Sequence, residues 1–133
     1  MDNDTDAARL GHAVIEGVAF GLADGLQALR DAGTEVRRLT LVGGGARSAH
    51  WAQLLADTLD IELMTADGAE AGGAIGAGRL AWLALGRDEA DICRPLAARA
   101  LFQPRAERRA ALMARLERFR ELYRRTRDLT PRA

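Results

Sequence analysis

Apolar positions recur at three- and four-residue steps over about 7–32, where Ile15, Val18, Leu22, Leu26 and Leu29 form one stripe. That period predicts a long helix with a buried face. Asp4 or Asp6 is placed to cap its start and Gly33 to end it. Gly17, Gly21 and Gly25 recur at steps of four on another face. Three helical glycines cost roughly 3 kcal/mol against alanine. A cost of that size predicts close packing against a neighbouring backbone.

The pattern then changes. A short apolar strand is expected at 37–42, followed by Gly43, Gly44 and Gly45 and a helix at about 49–59 with Trp51, Leu54, Leu55, Thr58 and Leu59 inward. A second strand reads IELM at 61–64. Thr65 or Asp67 is expected to cap a third helix over about 69–85, rich in small residues and stopped by Gly86. Residues 87–104, with Pro95 and Pro104, read as an irregular connection. A last helix over about 105–127 carries Leu112, Leu116, Phe119, Leu122 and Tyr123 on one side and arginines elsewhere.

The order helix, strand, helix, strand, helix, helix predicts a parallel α/β unit with right-handed crossovers. Two parallel strands make a poor sheet, because parallel sheets need neighbours and both faces covered. The expectation is therefore part of a larger sheet, with self-association or marginal stability of the isolated piece.

Composition narrows the chemistry. The 133 residues fit one domain, 48% hydrophobic and 29% charged but only 5% aromatic, so the core must be aliphatic. Every cation is an arginine, which removes any P-loop or Schiff-base lysine. The single Cys93 excludes an internal disulfide and a cysteine-based zinc site, and an inert thiol is expected. Neither His12 nor His50 has metal-ligand spacing, and both are expected at the surface, although His50 stands beside the glycine turn. No run reaches the ~20 apolar residues of a membrane span, and no leader-like segment precedes the first helix, so no membrane partner and a cytoplasmic location are expected.

Formal charge is zero overall but unevenly spread. Residues 1–93 hold seven arginines against fifteen acids, and residues 94–133 hold twelve against four. The two parts are expected to attract one another, or the basic part to meet an acidic partner. The last helix lacks interleaved aromatics and keeps a regular apolar stripe, so nucleic acid is not expected as its partner.

The strand–glycine–helix junction is the main candidate site. Glycines let a ligand approach the backbone, and the helix start beyond offers unpaired N–H groups and a positive dipole end. Three readings stand on these residues alone. One is a tight turn without a ligand. The second is a dinucleotide fingerprint, since Gly43-x-Gly45-x-x-Ser48 approaches G-x-G-x-x-G/A, with Asp60 and Glu62 near the next strand. The third is a nucleotide site of the actin-like ATPase kind.

The wider sequence favours the third. The segments RLGHAVIEGVAFGLADGLQALRDAG, LTLVGGGARSAHWAQLLADTLDIEL and EAGGAIGAGRLAWLALG, together with FQP at 102–104 and RFRELY at 118–123, follow in order and spacing. Together they resemble the C-terminal, actin-like ATPase domain of the FGGY family of carbohydrate kinases, with the closest likeness to its ketopentose kinases. That resemblance implies a partial ribonuclease H-like α/β domain over 1–133, parallel strands with flanking helices and an arginine-rich C-terminal helix. It implies ATP as the cofactor, with Mg²⁺ in the complete enzyme. It places Gly43, Gly44, Gly45, Ala46, Ser48 and Ala49 at the nucleotide, with Gly44, Gly45 and Ala46 against adenine and ribose. It places Gly72, Gly73, Ala74 and Gly76 at an interdomain hinge, and it gives Trp51, Gln53 and Asp57 supporting roles. Trp51 is expected in the core and Asp57 in a helix cap or salt bridge. The family's sugar site, aspartate base and phosphate hairpins have no counterpart here, so no catalytic residue or metal ligand is assigned. The implied partners are an adenine nucleotide and a missing N-terminal kinase half. A non-catalytic interaction module and a dinucleotide-binding half-domain remain the alternatives.

Overall fold

The computed structural model describes residues 5–129. Helix α1 spans Ala7–Asp31, and Asp6 caps it by accepting a hydrogen bond from the Arg9 backbone N–H at 2.7 Å. The alternative cap, Asp4, lies outside the described residues. Gly33 takes a left-handed φ of 89° just past the helix, the turn that a side chain would strain. Strand β1 (Arg38–Leu41) leads through a 3-10 turn (Gly44–Arg47) into α2 (Ala49–Leu59). Strand β2 (Glu62–Ala66) follows, then a second 3-10 turn (Ala69–Ala71) and α3 (Gly72–Ala84). A short α4 (Glu89–Ile92), strand β3 (Ala98–Phe102) and the long α5 (Ala106–Thr126) complete the order.

The sheet differs from expectation in one strand. β2 is central, parallel to β1 and antiparallel to β3, so the sheet is mixed and three-stranded. Residues 98–102 were expected in an irregular connection. Ala, Arg and Ala carry little strand propensity, and pairing with β2 supplies what local preference does not. The α/β character with flanking helices stands, and the all-parallel description does not.

Register explains where the core sits. Leu39 pairs with Leu63, and Leu63 with Phe102, making an apolar row across all three strands. This row faces α2, whose Ala52, Leu54, Leu55, Ala56 and Leu59 are buried. The next row, Thr40, Met64 and Leu101, points the other way because side chains alternate along a strand. Thr40 and Leu101 on that row are exposed.

Helices α1 and α5 close the far side of α2. Phe20 and Phe119 meet with ring centroids 5.6 Å apart, a tilted pair of the favoured kind. Leu112 and Leu116 are buried as the stripe predicts, but Leu122 and Tyr123 are exposed. The stripe on α1 is turned relative to expectation. Leu26 is buried and Ile15 partly so, but Val18, Leu22 and Leu29 are exposed, and Ala19 and Phe20 take the core instead. The small Ala19 lets α2 and α5 approach on that side, leaving Leu10, Val14, Val18, Leu22 and Leu29 as a second, open stripe. The glycine expectation fails here too. A Cβ at Gly17 would touch only Phe119, at 3.9 Å, and at Gly21 or Gly25 it would meet nothing within 4 Å.

The start of α3 also departs from the reading. Thr65 is a buried strand residue, and neither it nor Asp67 caps the helix. Gly68, at a left-handed φ of 74°, turns the chain into the second 3-10 turn instead. Gly86 does end α3, with φ 79°.

Charge asymmetry resolves inside the molecule. Arg115 on α5 holds the mostly buried Glu16 of α1 through Nε and Nη2 at 2.8–3.0 Å, and Arg120 holds Asp24 at 2.7 Å. Arg109 pairs with Asp60, and Arg105 with Asp57. The basic helix therefore meets the acidic half of its own chain.

Candidate nucleotide site

The glycine turn is built from two 3-10 turns held side by side. Gly43, with φ 85°, donates its backbone N–H to the Ala69 carbonyl at 2.8 Å. The Ala46 N–H then closes on the Gly43 carbonyl at 3.0 Å, and the Ser48 N–H on that of Gly45 at 3.1 Å. Ser48 caps α2, its hydroxyl accepting from the Trp51 N–H at 3.2 Å. The second turn packs equally close. A Cβ at Gly72 would lie 3.1 Å from the Val42 Cβ, so glycine there is a fit to the end of β1.

The six residues expected at the site do not share one role. Gly44, Gly45 and Ala49 are exposed on the turn and the helix start, and Gly43 is half-buried. Ala46 is 2% exposed and packs with Ala66 and Ala69, beneath the turn. Trp51 is half-buried against the core. Its ring edge would stand 3.0 Å from a Cβ on Gly45, so this glycine accommodates the tryptophan. A Cβ at Gly44 would meet nothing within 4 Å. Gly73 and Gly76 likewise face open space, and α3 buries no residue.

Two arginines that sequence reading passed over border the turn. A cleft of about 270 Å³ lies between the start of α2 and β3, lined by Ala46, Arg47, Ala49, Thr65 and Arg99 among others. Arg99 donates to the Ala46 carbonyl at 2.8 Å, fastening β3 to the turn. The Arg47 guanidinium has no acidic partner among the described residues. Arg99 is displaced from the glycine turn by 50 or so positions, so only the antiparallel pairing of β3 reveals it. In the second turn, Glu70 Oε2 is buried without a hydrogen-bond partner among the described residues. An acceptor of this kind is expensive to leave unmatched.

The histidines lie elsewhere. His50 is on the first turn of α2, and its ring faces His12 of α1 with centroids 5.8 Å apart. Both line a cleft with Glu16, Gln53, Asp57 and Arg105. Asp57 is 4% exposed and accepts from Gln53, from the Arg105 backbone and from its guanidinium. Burial pushes its carboxyl up, but these hydrogen bonds and the Arg105 charge outweigh burial and hold it below the ordinary carboxylate range. The capping and salt-bridge role expected of Asp57 is the one it has.

Known proteins resemble this chain in sequence and fold. The chain is 40% identical over 116 residues to the xylulose kinase of Escherichia coli, covering 86% of this chain and 24% of that protein. It is 37% identical over 119 residues to a glycerol kinase of Dechloromonas aromatica, again covering 86% of this chain and 24% of the relative. The crystal structure of a xyloylose kinase from Brucella ovis superposes with a TM-score of 0.84 at 35% identity, covering 98% of this chain and 27% of that one. The chain thus spans about a quarter of the length of these relatives. Residues 1–85 match the C-terminal domain of the FGGY carbohydrate kinases, and the chain belongs to that family.

Proposed function

We propose that this chain is the nucleotide-binding portion of an ATP-dependent sugar kinase of the xylulokinase type. The observation that carries the reading is the open Gly44 on a turn flanked by Arg47 and Arg99. Adenine and ribose lie across Gly44 and Gly45, with open space at the Gly44 Cβ position and the Trp51 ring edge beside Gly45. The start of α2 at Ser48 and Ala49 and the two guanidinium groups favour the anionic end of the nucleotide. These groups fit ATP by charge and by open backbone. When bound, ATP supplies the phosphoryl group. The residues of this chain bind and orient it, and none is assigned as base.

In the complete enzyme the reaction is transfer of the γ-phosphoryl group of MgATP to a ketopentose hydroxyl. Catalysis of this kind rests on positioning and charge stabilisation from both halves of a clamp. The sugar-binding half, the base and the phosphate hairpins belong to the part of the enzyme outside 1–133, which is read as a single domain at the C-terminal end. The comparable likeness to a glycerol kinase leaves the sugar to be fixed by that other part. A cytoplasmic location goes with this reading, and no helix of the described residues is long and apolar enough to cross a membrane.

A second reading, a non-catalytic docking module, is favoured by one observation: the open apolar stripe on α1. A dinucleotide-binding half-domain is the third and weakest reading. Calorimetric titration of the chain with ADP and NAD separates the readings. Saturable heat with ADP alone supports the kinase reading, and silence with both supports the docking module.

A further inference from the structure

Trp51 sits on the first turn of α2, where the Ser48 hydroxyl accepts its backbone N–H at 3.2 Å. Side chains on a helix lean back toward its N-terminus, so a residue placed here covers the turn before it. The indole follows that rule. Its ring packs against the main core, and its pyrrole edge lies over Gly45, with Cδ1 and Nε1 each 3.0 Å from the Cβ position of that glycine. The residue is half-buried, and its Nε1 is neither sealed from solvent nor hydrogen-bonded among the described residues. An indole N–H can only donate. A tryptophan with its body on apolar groups and its polar edge open is a form common at binding surfaces.

Position along the turn selects what this donor meets. Gly44, with open space at its Cβ position, is the flat seat for the base. Ser48 and Ala49 begin α2 and face the anionic end of the ligand. Gly45 stands between them, as the ribose stands between base and phosphates in any nucleotide. We propose that Trp51 contacts the nucleotide directly, its indole N–H donating to a ribose hydroxyl. This contact rests on the nucleotide reading above, and it adds a side chain that selects a ribosyl nucleotide over one lacking that hydroxyl. The core on one side and the Ser48 cap on the other hold the ring in place, so little side-chain freedom is lost when the ligand arrives.

The test uses the chain carrying Trp82→Phe, a change at an exposed position of α3 that leaves Trp51 as the only indole. It is titrated with ADP, 2′-deoxy-ADP and 3′-deoxy-ADP. The indole N–H proton resonance is expected to move saturably downfield with ADP, and to move less with one of the two deoxy nucleotides. By calorimetry that nucleotide is expected to bind about three- to tenfold more weakly than ADP, the worth of one hydrogen bond. Trp51→Phe keeps an aromatic ring and removes the donor. It is expected to weaken ADP by the same factor and to bind ADP and both deoxy nucleotides equally, a loss of discrimination that a packing defect alone does not produce. A Trp51→Phe chain that binds ADP as the parent does, or that keeps the parent's preference for ADP, overturns the proposal. So does an indole resonance that ADP leaves in place, or a parent that binds all three nucleotides equally. Absence of ADP binding by the parent overturns the nucleotide reading itself, and this contact with it.

Discussion

The Asp57 carboxylate at the end of α2 caps α5 from across the core: it accepts the Arg105 backbone N–H at 2.9 Å and the same residue's Nη2 at 2.6 Å. Arg105 begins α5 without a side-chain cap of its own, so the acceptor comes from a residue 48 positions earlier. One carboxylate thereby fixes where the basic helix starts and which way it runs over α2.

Asp57→Ala is expected to destabilise the chain by about 1–3 kcal/mol, the cost of leaving buried donors unmatched. Because the folded carboxyl is held below its ordinary value, its contribution is full above the unfolded pKa near ~3.9 and is lost as pH falls through the folded value. The stability gap between parent and variant should therefore be constant from about pH 5 to 8 and narrow below about pH 4. Chemical denaturation at stepped pH measures it, and a gap that widens in acid contradicts the assignment.

Gly45→Val is expected to lower the thermal midpoint even without nucleotide. Its new side chain meets Trp51 Cδ1 and Nε1, each 3.0 Å from the Cβ position, and overpacking of this kind costs about 1–3 kcal/mol. Trp51→Leu should recover part of the loss. A Gly45→Val chain as stable as the parent would show that the turn yields without cost.

Much of this fold is legible in the sequence because local rules and tertiary structure agree there. Ser48, Asp6, Gly33 and Gly86 punctuate helices where capping chemistry predicts. The inward face of α2 reads directly from Leu54, Leu55, Thr58 and Leu59. The uneven charge foretells the arginine–acid pairs between α5 and the earlier helices. β3 is illegible because its strand character comes from pairing with β2 and not from Ala98, Arg99 or Ala100 themselves. The stripe on α1 misleads because the helix has two apolar sides, and periodicity cannot say which one this chain covers. At the site, the glycines are visible in one segment. Arg99 reaches them only through the register of β3, and the closeness of Trp51 to Gly45 is a matter of side-chain placement.

Self-association is expected at high concentration. Val14, Val18 and Leu22 on α1, Leu80 and Trp82 on α3 and Leu85 just past its end are 49–76% exposed, and β1 and β3 form the two edges of the sheet. Large open apolar patches and free edges both favour association. Leu22→Glu and Leu80→Glu should each shift the light-scattering mass toward the monomer. A parent chain that stays monomeric with cooperative unfolding would show these faces to be harmless.

The purified chain is expected to phosphorylate no D-xylulose at ordinary enzyme rates, because the proposed base and sugar site lie outside it. A coupled ADP-release assay reads this directly. Turnover dependent on D-xylulose would contradict the division of labour, and recovery of activity on adding a complementary N-terminal half would support it.

The most direct measurement of the nucleotide assignment is ADP calorimetry on Gly44→Val beside the parent chain. Gly44 has open space around its Cβ position and no positive φ, so this substitution leaves the fold intact and alters only what approaches the turn. The expected result is saturable ADP binding to the parent, a loss of at least about tenfold in the variant, or ~1.4 kcal/mol, and unchanged thermal midpoints without ligand. ADP binding to Gly44→Val with the parent's affinity would contradict the placement of the nucleotide on this turn.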